Sequence, residues 1–280
     1  MCWFEWGRAS AAPSLLLLHA TGFHARVWDQ VIAALPTQQH VVAIDLPGHG
    51  RSYRPETLSD WDATARTLAQ LIDHALPHAY LGAGHSMGGH QLLRIAAIDP
   101  ARLLSATLID PVIMDPAIYA PGRSDFPEAA DHPVARRRAR WASVEAMIAH
   151  FADRAPYSLW QGDVLADYCR HGLLPADDGD GWELACPPAM EVSIYTSAVL
   201  NSPLHLLDAV RCPVSVIRAK RSERASVLDF TASPTWSELA ARLPDATDHH
   251  WDDLTHFIPM QAPARLATFL AQRLAAAKQG

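Results

Sequence analysis

Short apolar runs bounded by Gly, Pro and His alternate along the chain with longer stretches whose apolar residues recur at helical spacing. "SLLLLHA", "HVVAIDL", "AYLGAG", "ATLID" and "PVSVIRA" read as strands, with "DHHWDD" as a weaker sixth. Between them Trp61, Ala65, Leu68 and Ile72 fall on one helical face, as do Leu92, Ile95 and Ala96. Leu266, Phe269, Leu270 and Leu274 repeat the pattern near the C-terminus. Strands alternating with helices predict a mostly parallel sheet flanked by helices. Only "CWFEW" precedes these strands, so no opening hairpin is legible.

The alternation breaks between about Asp115 and Pro203. Val144, Met147, Ile148 and Phe151 form an apolar helical face there, among the aromatics Trp141, Tyr157, Trp160, Tyr168 and Trp182. "DDGDG", Asp177 to Gly181, marks a turn. A helical insertion between two strands of one sheet predicts a cap over the strand ends, where open parallel sheets bind ligands. The expected organisation is a first core part over 1–114, a helical cap over 115–203 inserted after the sixth strand, and a second core part over 204–280.

Composition narrows the class. Apolar residues at 49% and charged residues at 19% describe a globular protein, and a net charge of −7 argues against nucleic acid or an anionic membrane surface as partner. Cys2, Cys169, Cys186 and Cys212 lie far apart, which predicts thiols in a reducing compartment. "MCWFEWGRAS" lacks the features of a signal peptide, and the Leu15–Leu18 run is too short to span a bilayer. The expected location is the cytoplasm.

"GHSMGG", Gly84 to Gly89, fits G-x-S-x-G between a strand and a helix. A serine on so sharp a turn takes a strained backbone, and the residues two before and two after it must lack side chains for the turn to close. The turn raises the hydroxyl above the sheet, with the Met87 N–H at a helix N-terminus beside it. The same residues also read as G-x-G-x-x-x-G (Gly82 to Gly88), a variant dinucleotide loop with Asp110 as a ribose acid.

"HATGFHARVW" (His19 to Trp28), "DLPGHGRS" (Asp45 to Ser52) and "THFIPMQAP" (Thr255 to Pro263) stand in order around the serine motif. With it they resemble the α/β-hydrolase superfamily, in its capped esterase and lipase-like branch, over nearly the whole chain outside the cap. The resemblance implies Ser86 as nucleophile, His256 as general base, and the Thr21 and Met87 N–H groups as the oxyanion hole, with no cofactor and no metal. Ala20 stands where the family usually has Gly. His85, His49 and His19 read as packing and loop-bracing residues, and the His249–His250 pair as strand residues rather than metal ligands. Arg136, Arg137, Arg138 and Arg140 read as a solvated helix face, with steering of an anionic substrate as the alternative.

In the family the third member most often follows the strand that "PVSVIRA" represents, yet Lys220, Arg221 and Ser222 stand there. Three carboxylates remain as candidates. Asp110 ends the strand after the nucleophile strand, and adjacent strands lie about 4.8 Å apart, so it is one strand from Ser86. Its place before Pro111 predicts an extended backbone. Asp229 requires a long excursion of the chain, and Glu223 lies between Arg221 and Arg224, which would pair with it. Asp110 is the preferred reading. The leading function is a serine hydrolase of a small carboxylic ester or lactone. C–C bond hydrolysis, perhydrolysis and a non-catalytic ligand-binding role on the same scaffold remain alternatives.

Overall fold

The computed structural model describes all residues except 11, 37, 77, 121–130, 222–228, 230 and 279–280. The first part of the chain runs β1 (Trp3–Trp6), β2 (Ser14–Leu18), α1 (Asp29–Ala33), β3 (Val41–Ile44), α2 (Trp61–Ala75), β4 (Tyr80–His85), α3 (Met87–Ile98) and β5 (Leu103–Ile109). An inserted region follows, with β6 (Arg140–Trp141), α4 (Val144–Phe151), α5 (Gly162–His171), β7 (Leu173–Pro175), β8 (Trp182–Leu184) and α6 (Pro188–Ala198). The chain then returns to the sheet with β9 (Val214–Ala219), β10 (Ala246–Trp251), α7 (Ile258–Gln261) and α8 (Pro263–Ala277).

The main sheet has seven strands in the order β1-β3-β2-β4-β5-β9-β10. All neighbours are parallel except β1, which pairs antiparallel with β3 at one edge. "CWFEW" thus supplies one edge strand in place of a hairpin, and the insertion follows the fifth strand in chain order rather than the sixth. Inside the insertion β6, β8 and β7 form a second, three-stranded sheet, so the region is mixed rather than purely helical. The Asp177–Gly181 cluster joins β7 to β8 as the turn its composition predicts.

Strand periodicity divides the core. Leu15 and Leu17 of β2 face a cluster with Val31 of α1 and Leu266 of α8, whereas Leu16 and Leu18 face Leu68 of α2 and Leu92 of α3 on the other side. Side chains two apart share a face, so a strand buried on both faces needs an unbroken apolar run, and "LLLL" is one. Burial of Leu15 to Leu18 at 1% exposure or less contributes about 1.5–3 kcal/mol per side chain against leaving it in water.

The order also places a crevice. From β2 the chain moves to β3 on one side, then crosses back to β4 on the other. At such a switch point the loops leaving the carboxyl ends of β2 and β4 diverge and leave a cleft. Thr21 follows β2, and Ser86 follows β4.

Candidate active site

Ser86 takes φ 55 and ψ −115 at the junction of β4 and α3. This conformation costs a non-glycine residue about 1–3 kcal/mol, so the surroundings must hold it. They do so through backbone bonds: Ser86 N donates to Ile109 O at 3.0 Å, and Val112 N and His90 N donate to Ser86 O at 3.2 and 3.0 Å. The glycines are needed for space. A Cβ on Gly84 would meet Gly88 O at 2.3 Å, and one on Gly88 would meet Leu18 O at 2.3 Å. Gly82 and Gly84 lie inside β4, where Gly82 packs against Leu92 of α3. They close strand against helix rather than opening a nucleotide loop, so the dinucleotide alternative fails on geometry.

Asp110 follows β5, the strand beside the serine strand, with His85 opposite Ile109 in register. It is fully buried. Its backbone is left-handed at φ 42, not extended as its place before Pro111 predicts. Aspartate tolerates that region better than most residues. Asp110 Oδ2 meets His256 Nδ1 at 2.7 Å. Oδ1 accepts from Ala219 N at 3.0 Å, from Thr235 Oγ1 at 3.2 Å and from Ser233 Oγ. The carboxylate is fixed on both oxygens. Sequence reasoning missed these donors, which lie at the end of β9 and in the segment that follows it.

Of the other acid candidates, Asp229 Oδ1 accepts from the Thr231 N–H and hydroxyl at 3.1 and 2.6 Å. Glu223 lies outside the described residues. His256 N donates to Thr231 O at 2.9 Å, which anchors the histidine loop to the same segment. His85 Nε2 donates to the His256 backbone O at 2.8 Å, and the two rings lie 4.9 Å apart. His85 is therefore a brace that brings the chain of His256 against the serine strand.

The neighbouring histidines brace loops as well. His19 Nε2 accepts from Leu46 N at 2.9 Å and its Nδ1 donates to Ala20 O at 2.8 Å. His49 Nε2 accepts from Gly22 N at 3.0 Å and its Nδ1 donates to Pro47 O at 2.9 Å. Each ring has one donor and one acceptor nitrogen, which is the neutral form. Burial holds them there, pulling His19 down to about 4 and His49 to about 3. Together they fix the loop that carries Thr21. Neither the Thr21 N–H nor the Met87 N–H has an acceptor among the described residues, so both remain available as donors.

Ser86, His256 and Thr21 line one cavity of about 160 Å³. Phe23, Trp160 and Phe257 form an aromatic side of it, with Phe23 5.6 Å from Trp160 and Trp160 5.3 Å from Phe257. Tyr157, Tyr168, Tyr195, Arg137 and Glu191 supply a polar side. Of the aromatics read from the insertion, Tyr157, Trp160 and Tyr168 reach the cavity, whereas Trp141 and Trp182 do not line it. Phe23 and Phe257 sit inside the oxyanion-loop and histidine motifs, and an aromatic at those places was the available signal.

The arginine run is not a helical face. A short 3₁₀ turn ends at Arg136, and Arg137 takes an extended backbone at φ −64 and ψ 137. Extended residues alternate sides: Arg136, Arg138 and Arg140 are exposed while Arg137 turns inward. Arg140 pairs with Asp178 at 2.6 Å, and Arg138 lies over the Trp141 ring at 4.3 Å. His249 and His250 are residues of β10, where His249 meets the Thr247 hydroxyl at 3.0 Å. Asp29, Asp167 and His171 bring ligand atoms within 4.8 Å of one another. Arg26 already engages Asp29 and Gln30 engages Asp167, so both carboxylates of that cluster have partners. Among the described residues no helix is long and apolar enough to cross a membrane.

A model of the alpha/beta hydrolase family matches residues 15–269. The chain is 24% identical to Lipase LipV of Mycobacterium tuberculosis over 277 residues, covering 95% of this chain and 94% of that protein. It is 37% identical over 130 residues to the dihydrolipoyllysine-residue acetyltransferase component of the acetoin cleaving system of Pseudomonas putida. That match covers 46% of this chain and spans 35% of the length of the relative. Among solved structures, the peroxisomal alpha-beta-hydrolase Lpx1 of Saccharomyces cerevisiae superposes with a TM-score of 0.80 at 18% identity, over 99% of this chain and 82% of that one.

Proposed function

The chain belongs to the alpha/beta hydrolase family, and from that premise we propose that it is a serine hydrolase cleaving small carboxylic esters or lactones. The observation that carries the reading is the buried Asp110–His256 pair, set beside the strand that leads into Ser86, with His256 on the cavity that Ser86 lines. The relative named as a lipase supports ester hydrolysis.

Each step has a residue. Ser86 Oγ attacks the carbonyl carbon while His256 Nε2 takes its proton, and Asp110 holds the ring with Nδ1–H toward itself and stabilises the imidazolium. Negative charge gathers on the former carbonyl oxygen, where the Thr21 and Met87 N–H groups donate. The intermediate collapses, the C–O bond to the alcohol breaks, and His256 returns the proton to the departing oxygen. Water then attacks the acyl-enzyme by the same route, releasing the acid and restoring Ser86. In a lactone the alcohol stays tethered to the acyl group.

Cavity size bounds the substrate. A cavity of about 150 Å³ holds a benzene molecule, so 160 Å³ fits an acyl group of about that bulk. Residues 115–203 act as the cap that walls this space, and 1–114 with 204–280 form the core. Four free cysteines fit a cytoplasmic location.

The test is covalent labelling by a fluorophosphonate together with acid release from short-chain ester and lactone panels. Ser86 takes the label in folded protein, and Ser86→Ala abolishes both readouts. Turnover that survives the substitution would sink the serine mechanism.

A further inference from the structure

The polar side of the cavity carries a charge pair that the reaction does not use. Arg137 Nη1 donates to Glu191 Oε2 at 2.8 Å, and Arg137 Nη2 donates to the Tyr168 hydroxyl. Glu191 comes from α6 and Arg137 from the segment before β6, so the pair is set by two separate elements of the insertion. Glu191 also reaches the oxyanion loop: a Cβ on Gly22, next to Thr21, would lie 2.6 Å from its Oε1. The pair therefore stands beside the loop that carries the Thr21 N–H, and on the cavity that Ser86 lines.

Burial tells the partners apart. The Arg137 side chain is 16% exposed and that of Glu191 6%, so both are largely buried, Glu191 the more deeply. A guanidinium has five N–H donors, and the described contacts use one on Glu191 and one on Tyr168. The three phenols around it are neutral, because burial raises Tyr157, Tyr168 and Tyr195. Arg137 and Glu191 are the arginine and the carboxylate among the described lining residues, and their charges cancel.

A cancelled pair selects differently from a lone arginine. A substrate carboxylate entering this wall gives up its water, meets Arg137 and is repelled by Glu191, so its desolvation goes largely uncompensated. An ammonium group meets the reverse problem. A neutral acceptor such as a ketone or amide carbonyl has little to lose, and it gains a hydrogen bond from a charged donor. We propose that the Arg137–Glu191 pair is a specificity site that selects uncharged acyl groups carrying a hydrogen-bond acceptor, and that Glu191 excludes carboxylate-bearing ones. The proposal rests on the Ser86 reading and names the substrate class of that site.

Three methyl esters with acyl groups of equal length separate the cases: methyl pentanoate, methyl 4-oxopentanoate and monomethyl succinate. In the wild type kcat/KM for the oxo ester exceeds that for pentanoate by about fivefold to tenfold, the worth of one net hydrogen bond. It exceeds that for the succinate by about tenfold or more, since an unmatched charge costs more than one bond. Glu191→Gln leaves Arg137 unneutralised and raises the succinate-to-oxo ratio by about tenfold. Arg137→Met combined with Glu191→Gln keeps the volume, strands no charge, and brings the oxo-to-pentanoate ratio toward unity. Because ratios on one enzyme are compared, damage to shared machinery cancels.

A wild type that prefers the succinate, or a Glu191→Gln ratio that does not move, would overturn the proposal. Saturation-transfer NMR on Ser86→Ala protein ranks binding of the same three esters without turnover. It shows the oxo ester first if the inference holds, and an equal or reversed ranking refutes it. Failure of the serine reading is seen separately, as hydrolysis that Ser86→Ala leaves intact.

Discussion

The ends of β5 and β9 lie side by side in the sheet and do opposite things. At β5 the chain turns through a left-handed Asp110 and presents a buried carboxylate to His256 Nδ1 at 2.7 Å. At β9, where the resemblance places the acid in most of the family, the chain runs on through Lys220 and Arg221. What β9 and its following loop contribute is donors: the Ala219 N–H, Ser233 and Thr235, all to Asp110 Oδ1. One strand end supplies the charge and the other holds it. On the proposed serine mechanism, the acid needs only to be a dry carboxylate with one oxygen on the imidazole and the other saturated, from whichever strand reaches.

The largest effect expected from breaking this division is at the charge itself. Asp110→Asn keeps the shape, but its amide offers either the wrong group or the wrong tautomer to Nδ1. Loss of kcat by about 10³–10⁴-fold is expected, as for the orienting aspartate of other triads. Asp229→Asn, which touches a loop threonine rather than His256, is expected to change kcat by less than about threefold. Steady-state kinetics on both, with circular dichroism to confirm folding, decide the matter. A larger loss at Asp229 would reverse the assignment.

The holding side should matter less. Ser233→Ala removes one hydroxyl from a buried carboxylate, a contact worth about 1.5–3 kcal/mol. A drop of about tenfold in kcat/KM is expected, along with a fall in Tm. Thr235→Val, whose hydroxyl shares its proton between Pro111 O at 2.8 Å and Asp110 Oδ1 at 3.2 Å, is expected to lose less. Equal activity in both variants would mean that the β9 loop merely fills space.

How far these two ends were legible follows from the range of each signal. The elbow is a local device: the glycine spacing, the strand before and the helix after are contiguous, and Gly84 to Gly89 announce Ser86. Asp110 was legible through its neighbouring strand, because strand order is nearly sequential there. Its backbone was not, since Pro111 argues for extension and the pull of Ile217 O and the β9 donors is tertiary. Ser233 and Thr235 lie more than 120 residues from their acceptor and show no pattern of their own. The inward turn of Arg137 was hidden for a similar reason. Four arginines in five positions look like a solvated face until an extended backbone sends one of them the other way. The edge strand β1 was not read from "CWFEW", because its antiparallel pairing with β3 is a tertiary contact that four residues do not announce.

The smallest expected effect comes from setting His256 against the histidines that brace the same strand ends. His256 faces a carboxylate, whereas His19 and His49 face backbone groups and are kept neutral by burial, at about 4 and about 3. In the unfolded chain both return to about 6.5. Between those values the unfolded state binds protons that the folded state refuses. Stability from this source is therefore complete above pH 6.5 and is lost as the pH falls toward the folded values. Each histidine adds at most about 1.4 kcal/mol per pH unit to that slope. His49→Asn can place its amide N where Nδ1 donates to Pro47 O, gives up the reach to Gly22 N, and cannot take a proton. Its unfolding free energy, from urea titrations between pH 6.5 and 4.5, should be lower at neutral pH and fall less steeply with acid than that of the wild type. An unchanged slope would mean that His49 binds protons equally in the folded and unfolded chain, so that burial under Thr21 does not hold it neutral.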